Sequence, residues 1–338
     1  MFEQSHKEWL QLTDASKRNI FGAVSTQLNL PASAIEKDWW VVRTLQMVFQ
    51  TEIAAYTVFK GGTSLSKAWN LIERFSEDID LALDKGFLGF SGELTKKQVN
   101  KLRSESCRYL SESYVHKLQK TFIESGFEDV KLQMVDVKSS DEDPVNIIVN
   151  YRSLTEKSEY ITSRVLIEIG SRSLLEPFTP RSIQSFVGAN FTEREFADKP
   201  VTIPTVIPER TFLEKIFLLH EEFQQPIDKI RTFRKSRHLY DLERLMDTEY
   251  AKNAMQDIEL YRQLVKHRKD VTFIRGIDYN NHAPEKINPI PPDDILPEWK
   301  KDYEDMQQNM IYGKSLSFSE LIERIRGVKH QINNLEQN

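Results

Sequence analysis

A single cysteine, Cys107, stands in a chain of 338 residues. No intrachain disulfide can form, and a cysteine-based zinc site is excluded. The opening residues, MFEQSHKEWL, lack the apolar core of a secretory signal. No apolar run approaches the roughly 20 residues that a membrane helix needs. Positive charge is not in excess either. The formal net charge is -5, which argues against coating nucleic acid by bulk charge and leaves only a local basic patch for such a role. Repeats and low-complexity segments are missing. With every addressing signal absent, a cytoplasmic location and no membrane partner are expected.

Hydrophobic residues make up 39% of the chain and charged residues 29%, the balance of a soluble globular protein with a sizeable core. The length suits two domains at roughly 100–200 residues each. Residues 1–50 read as helices, with Ile35, Trp39, Val42 and Phe49 on one face of "PASAIEKDWWVVRTLQMVF". A short strand, "AYTVFKGG", ends in a glycine turn. The spacing of Leu65, Ala68, Trp69 and Ile72 predicts a helix from Thr63 to Glu73. Strands are expected in "SEDIDLAL", "DVKLQMVDV", "VNIIVNYR" and "SRVLIEIGS", with a charged helical stretch at 95–124. "DKPVTIPTVIPER" carries three prolines and closes the strand-rich part. After it, "RTFLEKIFLLHEEF", "SRHLYDLERLMD" and "DIELYRQLVKHRKDV" look helical. The expected fold is α+β, with a mixed-sheet domain over residues 1–205 and a helical domain over 206–338 that holds Lys215 and Asp241.

Asp78 and Asp80 stand in "SEDIDLAL", where a buried strand would prefer valines. Residues i and i+2 of a strand share a face, so these carboxylates project together. They repel unless something positive lies between them. Mg²⁺ takes oxygen ligands and often uses one or two carboxylates with substrate phosphates. Paired ions can clamp the attacking and leaving oxygens of a phosphoryl or nucleotidyl displacement. The alternative is a solvated strand face. Context favours chemistry: Gly61-Gly62-Thr63-Ser64 opens a helix just upstream. Glycine lets backbone approach a ligand, and a helix start offers free N–H groups to phosphate. Lys67 and Arg74 add cations between the turn and the aspartates.

This G-G-T/S turn followed by R-x-S-x-D-x-D resembles the nucleotidyltransferase superfamily that includes DNA polymerase beta. The blocks "IEKDWW", "FKGGTSLSKAW", "RFSEDIDLAL", "FLEKIFLLH" and "RHLYDL" are similar, in order, to those of the AbiEii/AbiGii toxin family. That family belongs to bacterial toxin–antitoxin and phage-abortive-infection systems. The resemblance spans most of residues 33–245. It implies a polymerase beta-like nucleotidyltransferase core followed by a helical C-terminal domain. It also implies an NTP substrate, an RNA acceptor with tRNA favoured, and a separately encoded antitoxin.

The resemblance further implies site roles. Asp78 and Asp80 would hold Mg²⁺, with Mn²⁺ as an alternative ion. Gly61, Gly62, Thr63, Ser64, Lys67, Arg74, Ser76 and Lys215 would hold the triphosphate. The third carboxylate of the superfamily falls on Glu168 in "RVLIEIG", with Asp136 in "MVDV" as the fallback. Lys215 flanks the apolar stripe Phe212, Ile216, Leu219 and Phe223, and its bland reading is a snorkelling stem. Asp241 would act as general base toward an acceptor hydroxyl or orient Lys215; otherwise it is a surface partner of Arg244.

In "KIRTFRKSRHLY", Lys229 to Arg237 hold five cations. Arg234, Lys235 and Arg237 are the expected RNA-backbone contacts, the alternative being a solvated helix face. No aromatic stacking platform is evident beside them. The expected activity is transfer of NMP from NTP with release of pyrophosphate. Its rivals are nucleotide transfer to a protein or a small molecule, and a non-catalytic binding module on the same scaffold.

Overall fold

A computed structural model describes residues 4–156 and 161–335. Lys157, Ser158 and Glu159, at the end of the polar stretch "SLTEKSE", lie outside the described residues. The chain divides into two compact units. The first comprises Met1–Ala68 and Phe75–Thr205, the second Trp69–Arg74 and Val206–Asn338.

The first unit opens with helices α1 (Gln4–Gln11), α2 (Asp14–Leu28) and α3 (Ala32–Val48). Thr13 caps α2 by accepting from the Ser16 N–H, and Asn29 closes it in the left-handed region at φ 53. Strand β1 (Thr57–Lys60) runs directly into helix α4 (Gly61–Lys67), and β2 (Asp78–Leu83) follows. Helices α5 (Lys96–Tyr109) and α6 (Val115–Glu124) lead to β3 (Lys131–Met134), β4 (Val145–Asn150), β5 (Arg164–Gly170) and β6 (Phe178–Ile183). Helix α7 (Phe186–Asn190) and β7 (Val201–Val206) complete the set.

The strands form one sheet in the order β3-β4-β5-β2-β1-β7-β6. It is mixed: β2 runs antiparallel to β1 and parallel to β5, while β4 runs antiparallel to β3 and β5. Strand alternation sorts its faces. Ile79, Leu81, Val145, Ile147, Val149, Ile167 and Ile169 are buried, and α3 packs on β2 and β5. Asp78, Asp80, Glu168 and Asn146 are half-buried on the other face.

The second unit is helical beyond its opening segment, with α8 (Pro208–Glu222), α9 (Arg237–Leu245), α10 (Glu249–Ala254), α11 (Ile258–His267), α12 (Leu296–Asn309) and α13 (Phe318–Asn333). Pro208 occupies the first turn of α8, where its missing N–H costs nothing. A Ser317/Glu320 capping box starts α13.

The structure corrects or sharpens three readings of the sequence. The helix expected from Thr63 to Glu73 stops at Lys67. Asn70 has φ 54, and residues 69–74 leave to join the second unit, where the Trp69 indole donates to the Val206 carbonyl. The proline-rich stretch does close the strand region, but with a strand that its prolines conceal: β7 lies within it, with Pro204 inside, and pairs in parallel with β1 through Phe59 and Thr205. Finally, the helix-face alternative for Lys229–Arg237 does not hold. A 3₁₀ turn covers Ile227–Lys229, irregular chain follows, and α9 begins only at Arg237.

Candidate active site

In the first unit the sheet register builds a polar row. Lys60 on β1 opposes Asp80 on β2, Asp80 opposes Glu168 on β5, and Glu168 opposes Asn146 on β4. Paired residues in neighbouring strands lie on the same side, so the row crosses four strands. Asp78 shares this face two residues before Asp80, opposite Leu166. Asp136 lies elsewhere: it is exposed and follows edge strand β3, which β4 and β5 separate from β2.

Glycine at residue 61 is a steric requirement. Its φ is +80, and a Cβ there would stand 1.9 Å from Asp80 Oδ2. The start of α4 is also tied to the strand that carries the aspartates. Thr63 Oγ1 lies 2.8 Å from Ser76 Oγ and donates to the Asp78 carbonyl. The Ser64 hydroxyl donates to the Gly61 carbonyl at 2.8 Å. Lys67 points to Asp38 of α3 at 2.5 Å and lies 3.8 Å from the centre of the Phe186 ring. Burial raises the Asp38 carboxyl above its ordinary range, against the pull of Lys67.

Glu168 records the electrostatics of the row. Burial first, then the Asp80 and Asp78 carboxylates, push it up to about 7 against the pull of Lys60. Carboxylates crowded in this way repel one another and offer oxygen atoms, the ligand type that a hard divalent cation takes. Among the described residues, as the side chains stand, no group of three or more His, Cys, Asp or Glu is placed to hold a metal ion. Mg²⁺ needs only one or two carboxylates, with waters and substrate phosphates as its other ligands. Lys60 and Asn146 were not singled out in the sequence. "VNIIVN" shows that Asn146 alternates with apolar residues, but only the strand register sets it against Glu168. Its Oδ1 is buried and without a hydrogen-bond partner.

In the second unit Arg74, Lys215 and Asp241 meet. Arg74 donates to both carboxylate oxygens of Asp241, at 2.7 Å from Nε and 2.8 Å from Nη2. Lys215 Nζ lies 2.7 Å from Asp241 Oδ2 and 3.4 Å from His238 Nδ1. Arg74 is 2% exposed and Asp241 is fully buried. Burial would raise the Asp241 carboxyl, but the two cations bring it down to about 2. Burial lowers Lys215, with Asp241 opposing, and it drives His238 well below its ordinary range, helped by Lys215 and Arg237. Asp241 is therefore a fixed anion, and His238 is neutral at physiological pH. Arg244, the surface partner considered for Asp241, instead donates to Glu73 at 3.0 Å.

Arg234, Lys235 and Arg237 are half-buried at the entry to α9. Asp302 accepts from the backbone N–H of Arg234, whose φ is 57. Arg231 in the same cluster is paired with Glu222. Phe233 stands 78% exposed among these cations, an aromatic surface that a lone Phe in a basic run does not announce.

Solved structures similar to this chain include two nearly full-length matches. MenT4, a nucleotidyltransferase toxin from Mycobacterium tuberculosis H37Rv, is 15% identical with a TM-score of 0.45, over 96% of this chain and 99% of that one. JHP933 from Helicobacter pylori is 14% identical with a TM-score of 0.43, over 91% and 95%. No curated protein matches. The family model for the nucleotidyl transferase AbiEii toxin of type IV toxin–antitoxin systems matches residues 44–324. That match covers most of the chain, which belongs to the AbiEii family of nucleotidyltransferase toxins.

Proposed function

We propose that this toxin transfers NMP from an NTP to a hydroxyl of an RNA acceptor, with tRNA the first candidate, and releases pyrophosphate. In this reaction the acceptor hydroxyl gives up its proton to solvent, its oxygen bonds to the α-phosphorus, and the bond from that phosphorus to the pyrophosphate oxygen breaks. Asp78, Asp80 and Glu168 would hold Mg²⁺, or Mn²⁺ in its place, which supplies positive charge to the triphosphate and to the attacking oxygen. The observation that carries the reading is the carboxylate row packed against Gly61, where a side chain would collide with Asp80.

Glu168 is preferred over Asp136 because it sits in register with Asp80. Gly61 to Ser64 offer backbone N–H groups to the phosphates at the start of α4. Lys67 is assigned to holding α4 through Asp38 rather than to the nucleotide. Lys215 is proposed as a phosphate cation, and Asp241 and Arg74 fix it. Asp241 is a poor general base, since it stays ionised to about 2 with both oxygens engaged. This supports the orienting role for Asp241. Arg234, Lys235 and Arg237 are proposed as RNA-backbone contacts. Family membership implies a separately encoded antitoxin.

The test incubates purified protein with each labelled NTP, Mg²⁺ and total RNA. Label should enter RNA of tRNA size, and Asp80→Asn should abolish it. Label in a protein fraction instead would overturn the RNA acceptor, and no label anywhere would overturn transfer.

A further inference from the structure

The block "IEKDWW" puts Glu36, Lys37 and Asp38 in succession on α3, and all three are buried. Their neighbours on this helix are buried on nearly every face. Burying charge without a partner is costly, and removing one partner from a buried pair costs more than the pair itself contributes. Three adjacent charges inside a core helix therefore need three separate partners. Successive helix residues point about 100° apart, so each can reach a different neighbour.

Each finds one within the first unit. The Glu36 carboxylate accepts from the Ser153 hydroxyl, the Thr155 hydroxyl and the backbone N–H groups of Leu154 and Thr155. The Lys37 ammonium donates to the Glu77 carboxylate, and Thr162 Oγ1 lies 3.5 Å from it. Asp38 takes Lys67 at 2.5 Å and also accepts from the Phe186 N–H at 2.7 Å. Glu77 immediately precedes Asp78, and Lys67 is the last residue of α4. One helix thus grips the carboxylate strand on one side and the glycine-turn helix on the other. The Thr63 bonds to Ser76 and Asp78 link those two elements to each other.

We propose that Lys37 and Asp38 are positioning residues for nucleotidyl transfer: Lys37 sets the aspartate strand through Glu77, and Asp38 sets the phosphate turn through Lys67. This rests on the reading of Asp78 and Asp80 as cation ligands and of Gly61–Ser64 as the phosphate turn. The two grips act on different ligands. Loosening Lys37 weakens cation binding, and loosening Asp38 weakens NTP binding. Glu36 holds a loop that carries neither and acts on stability alone.

The experiment compares Lys37→Met, Asp38→Asn and Glu36→Gln with wild type. Mn²⁺ binding is followed by electron paramagnetic resonance, NTP KM is measured at saturating metal, and thermal melting is recorded. Lys37→Met should weaken Mn²⁺ binding about tenfold to a hundredfold, the range usual for outer partners of metal ligands, with KM for NTP little changed. Asp38→Asn should raise KM for NTP by a similar factor and keep Mn²⁺ binding. Glu36→Gln should lower the melting temperature and move neither ligand. Lys37→Arg should restore Mn²⁺ binding in part. If Lys37→Met does not fold, Lys37→Met with Glu77→Gln removes both charges and leaves neither unpaired. Mn²⁺ binding at the wild-type level in that double variant overturns the proposal, as does an equal change of both ligands in all three single variants. If Asp80→Asn binds Mn²⁺ as wild type does, the cation reading fails and takes this proposal with it. If Asp80→Asn loses Mn²⁺ while the Lys37 variants keep it, only the positioning role falls.

Discussion

A methyl group on residue 61 would stand 1.9 Å from Asp80 Oδ2, at a φ of +80 that L residues rarely adopt. Gly61→Ala must therefore push the Asp80 carboxylate out of the row or move the start of α4. The backbone strain is about 1–2 kcal/mol, which a folded domain tolerates. We expect a folded protein whose transfer rate drops about a hundredfold or more, equivalent to about 2.7 kcal/mol of barrier. Near-normal transfer by Gly61→Ala would show that Asp80 does not need its observed position. Glu168 makes a second residue-scale prediction, through pH. Its folded value of about 7 is raised from an ordinary 4.5, so the folded protein binds the proton more tightly than the unfolded chain does. The sign follows: the destabilising effect of Glu168 is absent below 4.5 and grows as pH rises through 7. A divalent cation on the row removes that effect and must displace the proton. The rise in melting temperature on adding Mg²⁺ should therefore be larger at about pH 8 than at about pH 5.5. Glu168→Gln should flatten the difference; an equal Mg²⁺ effect at both pH values in wild type would remove Glu168 from the metal set.

Elements whose patterns are local were legible in the sequence. Strand β2 alternates, β4 and β5 carry β-branched runs, and α8 keeps an apolar stripe with Phe212, Ile216 and Leu219 buried. Elements set by distant partners were not. Pro204 hides β7, whose pairing with β1 no local pattern announces. Residues 69–74 keep helical spacing, yet Trp69 and Arg74 find their partners far along the chain, at Val206 and Asp241. The aspartate pair and the glycine turn could be read as candidates, but the alignment of Glu168 with Asp80 is a matter of register, which only the pairing of β2 with β5 decides. The Arg74 segment, α8 and α9 lead to a prediction about stability. They meet at one buried carboxylate, so Asp241→Asn leaves Arg74 and Lys215 as buried cations without their anion. Breaking such a pair costs about 3–5 kcal/mol. Urea unfolding should register a loss of that size, and substitution of Lys215 alone should cost less, because Arg74 still satisfies Asp241. Its pH signature is opposite to that of Glu168. Asp241 is depressed to about 2, so its stabilising effect is full above the ordinary carboxyl range and is lost as pH falls through 2. Wild-type stability from Asp241→Asn would reduce the cluster to an incidental contact.

The whole molecule carries a formal net charge of -5, so an RNA acceptor meets a net long-range repulsion that a local basic patch must offset. The entry to α9 is the proposed patch, and its chemistry is mixed. Arg231 is paired with Glu222, Arg234 and Lys235 are half-buried, and Phe233 is 78% exposed among them. Cations and an aromatic ring leave different traces in binding. Each phosphate contact releases counterions, so losing it flattens the dependence of log affinity on log salt by roughly 0.7 on single strands and 0.9 on duplex. A stacked ring releases none. Arg234→Ser with Lys235→Ser should weaken RNA binding and flatten the salt slope by about 1–2, with NTP binding unchanged. Phe233→Ala should cost about 1–3 kcal/mol on single-stranded RNA and leave the slope alone. Filter binding across a salt series separates the two. An unchanged slope in the double variant would reduce the cluster to a solvated turn and send the search for the acceptor to another surface. Loss of NTP binding in the double variant would instead move Arg234 and Lys235 into the triphosphate site. A changed slope in Phe233→Ala would mean that the ring orders the neighbouring cations and does not stack on a base.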